Sequence, residues 1–261
     1  MINLQYTNAH HNTEWKGYNV NNNDIYLNFM KSNVRNRLND TQGLTIVENH
    51  LRPLASTGFE IENLNTLLNS VAQEERDWAI GESFSEAILE NQIGAIFPWN
   101  HARDLRNENA SLPGADIVGL IDDNGQYKLL LGEVKTSVEN RYPPQVVTSR
   151  HGIANQLETL GTNATRLITL ITWLVHRCKG TEYEPNFNEA VKYLFSNSNQ
   201  GMYLVGVLVR PNMTANEDDL KSRGTTLGNI FNGTVTKVLL FACYLPHSLV
   251  DFATLAVGGD Q

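Results

Sequence analysis

The stretch that most constrains this chain lies between Gly114 and Ser137. It reads Gly114-Ala115-Asp116-Ile117-Val118-Gly119, then a polar turn, then Leu129-Leu130-Leu131-Gly132-Glu133-Val134-Lys135-Thr136-Ser137. Two strand-like runs joined by Asp122-Asp123-Asn124-Gly125 predict a β-hairpin. The apolar content of Leu129–Leu131 and Ile117–Val118 makes it a buried, central one. Side chains alternate along a strand, so Glu133 and Lys135 share a face while Val134 points into the core. Asp116 opens the first strand and Glu133 lies toward the end of its antiparallel neighbour, so the hairpin sets the two carboxylates side by side.

Burying charges without a partner is costly, and a metal is the natural compensation. Magnesium takes one or two protein carboxylates plus waters and phosphate oxygens, which is what an Asp and Glu pair with an open side offers. The Val134 carbonyl is a candidate third ligand. Lys135 would stand beside the attacking water and the scissile phosphate and offset charge building on the phosphoryl oxygens. That is the layout of a metal-dependent phosphodiesterase using Mg²⁺ or Mn²⁺. The bland alternative is a hairpin with charged residues on a solvated face. A second triplet of the same form, Glu14-Trp15-Lys16, has no apolar run before it and no Asp-led strand upstream, and reads as surface chemistry.

The arrangement resembles the PD-(D/E)xK nuclease superfamily, with Ala115 where Pro is common. The resemblance implies a restriction-endonuclease-like α/β core, a mixed central sheet flanked by helices. It also implies a first helix whose Glu completes the metal shell. Residues 73–91 are helical in period, with Ile80, Phe84, Ala87 and Ile88 on one face. There the pattern points to Glu86, with Glu82 second. A Gln on the helix after the motif often supports the Lys or the phosphate; Gln156, on a helix expected to begin near Arg150, is the match. Arg150 and His151 at that helix start are candidate phosphate contacts, as are Lys221 and Arg223 in an expected long polar loop, 210–232.

The chain has 261 residues, 41% of them hydrophobic, enough for a real core plus an appendage. The expected division is an N-terminal accessory or partner-contact layer, 1–72, and a nuclease core, 73–261. In the first part a helix is expected from Asp24 through Leu38, with short strands at Ile2–Tyr6 and Leu44–Val47. In the second, a long helix from Asn163 to Lys179 stops at Gly180, and strands follow at Tyr203–Val209 and Val235–Leu245. Cys178 and Cys243 sit in apolar segments without metal-ligand spacing and read as buried thiols. His176 reads as a core or boundary imidazole. No run of 18 apolar residues and no signal-peptide pattern is present, so a soluble, intracellular protein is expected, without a membrane partner. No Gly-x-x-x-x-Gly-Lys loop occurs, so no nucleotide is expected to bind this chain.

A net charge of −8 is unusual for a protein that grips DNA through its own phosphate contacts. Local basic clusters remain: Lys31, Arg35 and Arg37; Arg103 and Arg106; Arg141 and Arg150; Lys221 and Arg223. That balance suits a nuclease whose hold on DNA comes largely from a partner. Beyond the superfamily motif, Gly-Ala-Asp-Ile-Val-Gly and Gly-Glu-Val-Lys-Thr-Ser look like the nuclease subunits of Hachiman anti-phage defence systems. That resemblance implies a bacterial cytoplasmic effector restrained by a superfamily 2 helicase. The rival readings are a catalytically silent nuclease-fold subunit that binds DNA or a partner, and a stand-alone restriction-type endonuclease.

Overall fold

The computed structural model describes residues 1–69, 77–104, 114–211 and 215–257. The chain opens with strands β1 (Ile2–His10) and β2 (Thr13–Val20). Helix α1 (Asp24–Phe29) runs through a widened π turn (Met30–Val34) into α2 (Arg35–Leu38), followed by α3 (Thr41–Leu51), α4 (Gly58–Asn69) and α5 (Asp77–Ile93). The hairpin β3 (Ile117–Asp122) and β4 (Tyr127–Thr136) comes next. Helices α6 (Gln145–Thr148), α7 (Ile153–Thr162), α8 (Ala164–Cys178) and α9 (Glu184–Ser196) lead to β5 (Met202–Pro211). A 3₁₀ turn (Glu217–Asp219), α10 (Lys221–Ile230), β6 (Lys237–Leu245) and α11 (Leu249–Val257) complete the chain.

All six strands join one mixed sheet in the order β1-β2-β6-β5-β4-β3. The inner four, β2, β6, β5 and β4, run parallel, and each edge is an antiparallel hairpin partner. Parallel strands must be covered on both faces, and here they are. Leu129, Leu131, Leu204 and Leu240 pack against α7, α8, α9 and α10. Leu130, Val134, Val205 and Phe241 pack against α1, α5 and α11. This is the α/β class that the hydrophobic pattern implied.

One glycine sets how closely the first helical layer approaches. A Cβ on Gly206, in the middle of β5, would lie 2.3 Å from Ile153 Cγ2 and 3.1 Å from Leu157 Cδ1. The N-terminal turn of α7 therefore sits directly on the sheet beside Glu133, the cross-strand neighbour of Gly206.

Several expectations change. Residues 1–20 are not a separate layer: β2 pairs with β6 inside the main sheet, and Trp15 and Val20 are core residues. The expected boundary between 72 and 73 lies outside the described residues. The helix expected over Asp24–Leu38 is present, with Phe29, Met30, Val34 and Leu38 buried. Leu44–Val47 is helix rather than strand. Asp40 accepts the Gly43 N–H and starts α3, and Ile46 and Val47 are left exposed, so the β-branched run has no sheet edge to join. The long loop expected over 210–232 is largely the 3₁₀ turn and α10, because Leu220 and Leu227 bury and Gly224 fits against the Trp15 ring. His176 is exposed on α8 rather than in the core or at its boundary. Cys178 and Cys243 are free and buried, and burial raises both thiols, Cys178 to about 11. Among the described residues no helix is long and apolar enough to cross a membrane.

The close fit at Gly206 has a measurable consequence. Gly206→Val should overpack the α7 contact and lower stability by about 1–3 kcal/mol, read as a fall in the urea midpoint at unchanged slope.

Candidate functional site

The β3–β4 turn fixes the geometry on which the site rests. Asn124 and Gly125 both have positive φ, 57° and 86°, and Asp123 and Gln126 exchange backbone bonds around them. This is the two-residue turn whose twist matches a hairpin, and Asn-Gly is the pair that adopts it most readily. It sets Ile117 opposite Gly132, and the same register continued by one residue faces Asp116 with Glu133. The Asp116 Oδ2 accepts the Val134 N–H at 2.8 Å, which locks the carboxylate against β4.

Lys135 joins the pair. Its Nζ donates to Glu133 Oε1 at 2.6 Å and lies 3.7 Å from Asp116 Oδ2. Exposure is graded: the Glu133 side chain is 9% accessible, that of Asp116 25% and that of Lys135 30%. The cluster thus opens to solvent on one side and is rooted in the core on the other. Burial, then the charge of Asp116, push the Glu133 carboxyl up to about 7, against the opposing pull of Lys135 and Arg166. Burial also works against the Lys135 ammonium, but its bond to Glu133 and the charges of Asp116, Glu133 and Glu82 outweigh it and raise its pKa.

The helix carboxylates separate. Helix α5 lies close over the end of β4, where a Cβ on Gly81 would meet Thr136 Cγ2 at 3.3 Å. Glu82, half-buried, is near enough for its charge to act on Lys135. Glu86, the residue favoured by the motif, is one turn further on and buried, and its Oε2 accepts from Arg37 at 2.7 Å. Its carboxylate thereby ties α2 to α5, while Glu82 is the α5 acid whose charge reaches Lys135. Arg37 also pairs with Glu90, Arg35 donates to the Ala256 carbonyl, and Arg103 pairs with Asp40. These three arginines of the basic clusters tie elements together; Arg106 lies outside the described residues.

Gln156 comes near the cluster by an indirect route. Its Oε1 accepts from Arg166 Nη1 at 2.7 Å, and Arg166 Nη2 donates to the Gly114 carbonyl at 2.8 Å, two residues before Asp116. Arg166, in the first turn of α8, is the residue that sequence reasoning missed: no motif marks it, and only the fold brings it to the hairpin. Helix α7 begins at Ile153 rather than near Arg150, because Ser149 and Gly152 are still in a turn. Arg150 and His151 are exposed ahead of it. Arg150 lines a polar groove of about 680 Å³ along α7 with Asn155, Glu158 and Asn163. Lys221 and Arg223 are not brought to the carboxylates. They open α10, whose Gly224 packs on Trp15, and Trp15, Leu240, Gly206 and Glu133 lie at one level of the sheet. Three strand spacings, ~14 Å, separate that site from Glu133.

A divalent cation fits the donor chemistry of the hairpin. Two carboxylates share one ammonium, an excess of negative charge that a dication would offset, and burial together with Asp116 makes the ionised form of Glu133 costly without one. The set is small: among the described residues, no group of three or more His, Cys, Asp or Glu side chains is placed to hold a metal. Two carboxylates suffice for Mg²⁺, which keeps several waters and substrate oxygens. No protein-family model, curated protein or solved structure matches the chain.

The raised Glu133 pKa sets a pH dependence whose sign follows from linkage. In the unfolded chain the group titrates near 4.5 and in the folded chain near 7. Between those values the folded state holds a proton that the unfolded state has lost, so stability falls as pH rises through the window. Without added metal, the melting temperature of Glu133→Gln should fall less steeply than that of the native chain between pH 5 and pH 8, measured by circular dichroism.

Proposed function

We propose that the chain is a divalent-metal-dependent DNA nuclease, an endonuclease or nickase, with a restriction-endonuclease-like core. The observation that carries this reading is the meeting of Asp116 and Glu133 at the Lys135 ammonium, half-open to solvent, at the end of a buried hairpin. When bound, Mg²⁺ or Mn²⁺ would polarise the phosphate and make water a stronger nucleophile. Asp116 and Glu133 would hold it, with the Val134 carbonyl as a further oxygen and Glu82 reaching in from α5. Asp116 is oriented for that task by the Val134 N–H. Lys135 orients the water and offsets charge growing on the phosphoryl oxygens, and the carboxylates around it keep it protonated for that role. In-line attack on phosphorus breaks the P–O3′ bond and leaves a 5′-phosphate, the outcome that the superfamily resemblance implies.

A second reading has a specific observation in its favour. Glu86 is taken by Arg37, and the described residues hold no three-acid metal cluster, which suits a nuclease fold that binds DNA or a partner without cutting. Supercoiled plasmid titrated with Mg²⁺ separates the two, since only a nuclease converts it to nicked or linear DNA. The double variant Glu133→Ala, Lys135→Ala should lose at least about 10²-fold in nicking rate while keeping the native circular dichroism spectrum. Nicking at the native rate by that variant would sink the nuclease assignment.

We further propose that the chain serves as a cytoplasmic effector of an anti-phage defence complex, restrained by a superfamily 2 helicase. This rests on the resemblance carried by Gly114–Gly119 and Gly132–Ser137, and the charge of −8 suits a nuclease whose grip on DNA is supplied by another subunit. Recovery of a helicase with the tagged chain from its native host is the expected result; recovery of the chain alone would count against it.

A further inference from the structure

We infer that Arg166 is a positioning residue for Asp116, acting through the backbone of Gly114. The two ends of the proposed metal pair are secured very differently. Glu133 belongs to β4, bonded to strands on both sides and covered by α7 at Gly206. Asp116 precedes the first residue of β3, where the ladder has not yet begun, so something else must fix the path by which the chain delivers it.

Helix α8 does so from two sides. Gly114 has φ +138°, a backbone that side-chain-bearing residues rarely adopt, and a Cβ there would stand 3.1 Å from Leu170 Cδ2. Leu170 thus packs against the Cα while Arg166, one helical turn earlier, holds the carbonyl at 2.8 Å. The guanidinium is itself fixed, because Gln156 on α7 takes its other arm and Asn163 caps α8 by accepting the Arg166 N–H at 2.9 Å. The planar fork binds two acceptors in fixed relative geometry, which an ammonium cannot do. Gln156, expected to touch the Lys or the phosphate, serves here to aim Arg166. The role of Arg166 toward a metal rests on the reading above; its role in placing Asp116 does not.

Two measurements on the full chain keep those apart. The Val134 amide bonded to Asp116 reports the placement of that carboxylate without any metal. Hydrogen exchange at Val134 should speed up by about tenfold or more in Arg166→Met and in Gly114→Ala, as it should in the control Asp116→Ala. Arg166→Lys, which keeps the charge but not the fork, should show most of the same loss. Native protection in Arg166→Met, or full retention in Arg166→Lys, overturns the inference; if Arg166→Met fails to fold, Arg166→Lys and Gly114→Ala decide it. Mn²⁺ binding followed by electron paramagnetic resonance is the second measurement. Asp116→Asn and Glu133→Gln should abolish it, and Arg166→Met should weaken it by roughly 10- to 100-fold, the usual cost of losing a residue that orients a ligand. Native Mn²⁺ affinity in Asp116→Asn and Glu133→Gln would overturn the metal reading while leaving the exchange result to stand or fall by itself.

Discussion

The antiparallel register of β3 on β4 is the constraint from which the candidate site follows. Because Ile117 faces Gly132, Asp116 faces Glu133, and the Val134 N–H is free to bond the Asp116 carboxylate instead of a ladder partner. A slip of one residue would turn Glu133 and Lys135 to the opposite face, into the apolar layer of Phe84 and Ile88. The Asn124-Gly125 turn forbids that slip by fixing loop length and twist together. A short local motif therefore determines whether two acids meet at all.

The second Glu-x-Lys triplet shows what register alone does not supply. Glu14 and Lys16 on β2 share a face and pair at 2.7 Å, much as Glu133 and Lys135 do, and Trp15 lies at the same level of the sheet as Glu133. Their cross-strand partners on β1 are Ala9 and Thr7, so no second acid faces them. Glu14 is 54% exposed, and water screens the pair. At Glu133 the helix admitted by Gly206 removes that water, and the same residue types acquire a strained charge balance. The raised Glu133 carboxyl is a product of desolvation applied to a particular pairing.

The other acids and cations are divided by what the helices need. Glu86 and Arg37 join α5 to α2, both well covered, so losing either would strand a charge. Arg210 and Asp219, both fully buried, form another such pair where β5 ends, with Tyr244 bonded to the same aspartate and the Glu139 carbonyl bonded to the arginine. That network ties the segment after Lys135 to the strand beside it. Glu82 and Arg166 are left beside the hairpin, the one acting on Lys135 by its charge and the other holding the backbone ahead of Asp116.

Alternation and turn chemistry are local, so the sequence alone determined the β3–β4 hairpin, the face shared by Glu133 and Lys135, the helices at Asp24–Leu38 and Asn163–Lys179, and the α/β class. Propensity misplaced Leu44–Val47, because a β-branched run becomes a strand only where a sheet edge is there to receive it. Polarity misread 210–232, because α10 buries only a few residues, against Trp15 and the β1–β2 hairpin some 200 positions earlier. Only the tertiary structure decided that β1 and β2 extend the central sheet, that Glu86 pairs with Arg37 while the charge of Glu82 acts on Lys135, and that Gln156 speaks to the hairpin through Arg166. Those outcomes depend on which side chains meet across elements distant in sequence, and no periodicity along the chain records such meetings.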